Sequence, residues 1–210
     1  MQSHLIYKRI RALAEENEKH VIVFVEDVCA SGGYMIACAG DEIVLDSASI
    51  VGSIGVVTAG FGFVDALRKL GVERRVYTSG HSKVILDPFQ PEKAEDVARL
   101  KAIQEEVHEL FIDLVRTRRG DVLAKDNDDI FSGMFWSGKT AVALGLADRT
   151  GDLRLVLREK FGEKVRLKVF TTERSFFGKR GVGIGAVGEA FAERLLSEID
   201  ERALWERYKL

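Results

Sequence analysis

In the stretch LIYKRIRALAEENEKH, the apolar residues Leu5, Ile6, Ile10, Leu13 and Ala14 recur at three- and four-residue spacing, which gives a helix one apolar face. VIVFVE follows without any such spacing, and an unbroken β-rich run of that kind predicts a strand covered on both faces. The periods keep alternating: a helix from Ser31, a strand over EIVLD, the glycine-punctuated SIVGSIGVVTAGFG, a helix over FVDALRKLG and a strand over ERRVYTSG. Beyond DPFQPEKAEDV the pattern predicts a long amphipathic helix over residues 92–118, with Pro91 and Glu92 suited to its first turn. SGKTAVALGLADRTGDLRLVLREKFG then reads as helix, short strand, glycine turn and helix, and KVRLKVFTT as a further strand. The core is therefore expected to be α/β. After it, SFFGKRGVGIGAVG shifts to glycine and base and precedes a last amphipathic helix bearing Leu195, Leu196, Ile199, Leu204 and Trp205. The organisation expected is a domain over 1–170, then a glycine-rich hinge and a docking or oligomerisation helix over 171–210.

Composition narrows the partners. A net charge of −2 with 30% charged residues gives no basic field for nucleic acid, and 46% hydrophobic residues suffice for a packed core. No apolar run reaches the roughly 18 residues of a membrane span, and the first residues form a charged helix rather than a signal peptide. Cys29 and Cys38 sit in apolar company, as core residues do, and point weakly to a reducing compartment. Gly183, Gly185 and Gly188 spell GxGxxG, but no strand leads directly into them and no ribose-binding acid follows, so the segment reads as a hinge and no nucleotide cofactor is expected. The basic GKRG beside Phe176 and Phe177 carries too few charges to argue for a membrane surface or nucleic acid. No metal-ligand spacing occurs.

Candidate chemistry centres on ASGGY. Ser31 at the head of a helix has a bland reading as an N-cap, its oxygen accepting an orphan N–H. It also has a sharper one as a nucleophile, with the Gly32 N–H aimed at a developing oxyanion and Gly33 leaving room for a peptide backbone. The four histidines, His4, His20, His81 and His108, form no evident triad with it. Lys83 follows a glycine turn and precedes Val84, Ile85 and Leu86, where burial would favour a neutral amine. A lysine serving as base near neutrality needs its pKa depressed by roughly three units, about 4 kcal/mol of desolvation or like-charge repulsion.

SHLIYKRIRAL, ASGGYMIACAGDEIV, VGSIGVV, SGHSK with DPF, and SGMFWSGKTAVALGLADRTG occur in an order that resembles the signal peptide peptidase A family of Ser-Lys serine peptidases over about residues 1–170. Lys83 lies 52 positions after Ser31 (83 − 31), as the family pattern has it. The resemblance implies a ClpP/crotonase-like spiral of ββα units, Ser31 as nucleophile, Lys83 as general base, Ser53 as the residue that orients the lysine, and Gly32 as an oxyanion donor. It further implies no cofactor or metal, a peptide substrate such as a signal peptide remnant or unfolded segment, and a ring or dome of identical subunits, with the pairing of serine and lysine within one chain or across a boundary left open. Family members are associated with the bacterial inner membrane, while a chain without leader or span would also fit the cytoplasm. The second oxyanion donor of the family comes from a Pro-Gly-Gly turn ahead of the first helix, so the chain is expected to be N-terminally truncated. Two other classes remain: a proteolytically silent peptide-binding or ring-forming scaffold, and a crotonase-like acyl-CoA enzyme, against which a Ser-Gly-Gly nucleophile in place of carboxylates argues.

Overall fold

In the computed structural model, which describes residues 2–80, 83–124 and 127–170, the amphipathic opening forms helix α1 (Gln2–Glu16). A strand–strand–helix unit follows: β1 (Ile22–Val25), β2 (Val28–Ala30) and α2 (Gly32–Ala37). The next pair, β3 (Glu42–Leu45) and β4 (Ile50–Gly52), leads through an exposed stretch to α3 (Val64–Leu70) and the long α4 (Ala94–Arg119). A third pass runs β5 (Phe135–Ser137), α5 (Gly138–Ala143), β6 (Arg149–Thr150) and α6 (Leu153–Phe161).

Each pass sends one strand to each of two sheets. The first sheet has the order β1-β3-β6 and is parallel throughout; the second has the order β2-β4-β5, with β2 and β4 parallel and β5 antiparallel to β4. The fold is α/β; its first two passes have the ββα order that the family resemblance implies, while the third interposes α5 between its two strands. Ile43, Val44 and Leu45 of β3 are all buried, as a central parallel strand covered on both faces requires. Tyr34, Met35 and Ala37 of α2, together with Phe111, Leu114 and Val115 of α4, close the core over them. The Tyr34 hydroxyl satisfies itself there by donating to the Leu146 carbonyl at 2.7 Å. Cys29 and Cys38 are free and buried, and burial pushes both thiols up to about 12, so they act as small apolar residues.

Several expectations change. Residues 73–80 form no strand: every one is exposed, and β-rich composition yields a strand only where a neighbour accepts its ladder. Residues 164–170 are likewise without strand structure. Helix α4 starts at Ala94 because Lys93 is still extended (φ −99°, ψ 129°), which leaves Pro91 and Glu92 ahead of the first turn. The chain divides into two compact units, Met1–Val165 and Arg166–Leu210. The glycine-rich hinge and terminal helix expected over 171–210 lie outside the described residues.

Two carboxylates tie the helices to the first sheet. Asp41 accepts the Val21 N–H at 2.9 Å and pairs with Arg11 at 2.7 Å and Arg118 at 3.3 Å. Glu42 pairs with Lys160 and with Arg149. Burial alone would raise both carboxyls, but at Asp41 the Val21 N–H and the guanidiniums outweigh it, and at Glu42 Lys160 and Arg149 do. Both therefore sit below their ordinary values of 3.8 and 4.5. A carboxyl held below its unfolded value stabilises the fold above that value and loses the contribution as pH falls through the folded one. Melting temperature should accordingly drop as pH is lowered below about 4. Asp41→Asn should cost about 1–3 kcal/mol at pH 6 and flatten that acid slope, as read by thermal melts from pH 3 to 6.

Candidate active site

The register of the second sheet sets the site. Ala30 of β2, Gly52 of β4 and Phe135 of β5 lie side by side, so the next row at that end is Ser31, Ser53 and Met134. The ladder continues through this row, with the Ser31 N–H donating to Gly52 O at 2.8 Å and the Ser53 N–H to Met134 O at 2.7 Å. Two serines far apart in sequence thus end neighbouring parallel strands. Met134, which is exposed, completes the row.

Both serines hold backbone conformations that L residues avoid, Ser31 at φ 51° and Ser53 at φ 53°. Each costs about 1–3 kcal/mol and persists only where the surroundings impose it. Ser31 stands where an N-cap of α2 would stand, but at ψ −120° it is not in the extended conformation of a cap, and its side chain makes no cap hydrogen bond. Ser31 is exposed at a sharp strand-to-helix turn.

Two glycines fit this turn for steric reasons. A Cβ on Gly32 would run into the Ser3 hydroxyl of α1, which packs over the start of α2. Gly52 has φ 119°, and a Cβ there would meet Met134 O at 2.8 Å and the Trp136 ring at 2.9 Å. At Gly52 the obstacles are backbone and a ring, so no larger residue could stand there, whereas at Gly32 the obstacle is the Ser3 side chain.

Lys83 lies in the stretch between α3 and α4. It is exposed, its N–H donates to Gly80 O at 3.3 Å, and no described residue pairs with its ammonium. The surrounding stretch displays apolar side chains to solvent, among them Val57 (86% exposed), Phe61, Leu70, Val72 and Tyr77 (89% exposed). Three histidines have other associations: His4 stacks on Tyr7, His20 lies 3.8 Å from Asp41, and His108 Nε2 lies 3.0 Å from Ile54 O. His81 is outside the described residues. Sequence reading missed Met134 as a neighbour of the serines; the only signal was its place in SGMFWSG, since β5 is three residues long and shows no period.

Comparison with known proteins adds to this geometry. The model of peptidase family S49 matches residues 14–183. A protein of Brucella abortus named Na(+)/H(+) antiporter NhaA is 56% identical over 219 aligned positions, which cover 100% of this chain and 30% of that protein. The chloroplastic serine protease SPPA of Arabidopsis thaliana is 32% identical over 182 positions, 83% of this chain and 26% of the relative. Among solved structures, an enoyl-CoA hydratase from Thermoplasma volcanium aligns with a TM-score of 0.34 at 20% identity, over 75% of this chain and 43% of its own. The chain spans less than half the length of each.

Proposed function

Since this chain belongs to peptidase family S49, we propose that it is the catalytic region of a serine endopeptidase in which Ser31 and Lys83 act as a dyad on extended peptides, such as signal peptide remnants or unfolded segments. The observation that carries the reading is Ser31 itself: strained, exposed and without the hydrogen bond that a capping serine would make.

In this reading the Ser31 Oγ attacks the scissile carbonyl carbon while its proton passes to the neutral amine of Lys83. The Gly32 N–H stabilises the oxyanion as it forms. Collapse breaks the C–N bond, and the Lys83 ammonium returns the proton to the departing amine. Water, deprotonated by Lys83, then cleaves the acyl-serine ester and frees Ser31. Ser53, one strand over, is the group that would orient the lysine.

Lys83 is exposed in the single chain. The exposed Val57, Phe61, Leu70, Val72 and Tyr77 of the same β4–α4 stretch ask for cover, and a second copy of the chain is the occupant that would bury Lys83 beside a neighbour's Ser31. Repeated around a closed ring, this contact would enclose the sites and admit only extended chains. Mixing inactive Ser31→Ala with inactive Lys83→Ala subunits of the full-length domain tests it: activity should return in part where the site is shared. No recovery, or a monomer by light scattering at micromolar concentration, would remove the shared site.

The transport named for the Brucella relative belongs to a protein of which this chain matches 30%. Among the described residues no helix is long and apolar enough to cross a membrane, and transport is not proposed for this chain.

A further inference from the structure

Most side chains between Val56 and Lys93 are exposed, yet one knot within this stretch is tightly made. The Asp87 side chain, 4% exposed, pairs with the Arg74 guanidinium and accepts the Phe89 N–H at 3.0 Å. Arg74 also lies over the Phe89 ring, 5.2 Å from its centroid. Phe89 stacks on Phe63 at 5.5 Å, and the Phe63 N–H donates to Pro88 O at 2.6 Å. Leu86, just before the knot, has φ 49°, and its N–H reaches Asp96 in the first turn of α4 at 3.4 Å.

These contacts join four segments: the entry to α3, the residues after it, Leu86 to Phe89 downstream of Lys83, and the first turn of α4. A carboxylate buried to this extent needs its charged partner and the N–H it accepts, so breaking the Arg74 pair would leave an uncompensated charge after the Lys83 turn. What the pair fixes is the exit of the turn on which Lys83 stands.

We propose that Asp87, through its pair with Arg74, is a positioning residue that holds the Lys83 turn in the geometry proton transfer requires. The inference rests on Lys83 being the general base. A base displaced by about 1 Å loses on the order of 10²-fold in rate while substrate binding, made elsewhere, is kept.

The test measures kcat and KM of the full-length domain, per active site counted by fluorophosphonate labelling, alongside a thermal melt. Asp87→Asn keeps the shape and the acceptor for Phe89 but removes the charge. It should lower kcat by about 10²-fold with KM changed no more than about 2-fold. Arg74→Gln should do the same, and the double variant should be no worse than either single one, as for two members of one contact. Arg74→Lys, which keeps the ion pair, should restore most of the rate. A purely structural knot would lower the melting temperature or the count of labelled sites and leave kcat per site untouched, and that result overturns the proposal. If Asp87→Asn does not fold, Arg74→Gln, changed at the more exposed partner, decides on the same criteria. An active Lys83→Ala enzyme would instead dismiss the base itself, whereas an inactive Lys83→Ala with a fully active Asp87→Asn would dismiss the positioning role alone.

Discussion

Ser31→Ala is expected to abolish peptide hydrolysis by the full-length domain, with kcat down at least about 10⁴-fold and only the residual rate from binding and oxyanion stabilisation left. The fold should survive the change. The hydroxyl makes no cap hydrogen bond that alanine would forfeit, and alanine meets the same backbone cost at φ 51° as serine does. The Gly52 carbonyl continues to receive the residue 31 N–H. A melting temperature near wild type with no turnover would separate lost chemistry from lost structure. A variant that keeps more than a trace of the rate would mean that another group is the nucleophile.

Lys83→Arg should be almost as severe, and for a different reason. The substitution retains the positive charge on an exposed side chain, so the fold should not suffer. A guanidinium cannot release its proton near neutrality, so the Ser31 proton would have nowhere to go. The wild-type rate should rise with pH through the value at which the lysine becomes neutral, and the variant should show no such limb. A flat wild-type profile between about pH 6 and 9 would count against lysine as the base.

Much of this was readable before the structure because it is local. The 3.6-residue spacing of α1 and α4, the apolar run of β1 and the Ala-Ser-Gly-Gly junction are each contained in one short window. The three-residue strands β2, β4 and β5 are too short to carry a period, and they are the strands that place Ser31, Ser53 and Met134 in one row. That row is a property of register between distant segments. ERRVYTSG misled for a related reason: its β-rich residues have no neighbouring strand, so propensity alone produced nothing. The strained backbone at Ser31 and Ser53 was invisible as well, since serine gives no hint of positive φ as glycine does. Arg74 and Asp87 are 13 residues apart with no pattern linking them, and only folding shows them as a pair.

The most direct measurement is to react the full-length domain with a fluorophosphonate and map the adduct by peptide mass spectrometry. A single adduct per chain on the peptide containing Ser31, formed faster as pH rises and absent from both Ser31→Ala and Lys83→Arg, is the predicted result. Modification of Ser53 or another residue in place of Ser31, or a labelling rate that does not depend on Lys83, would contradict the dyad.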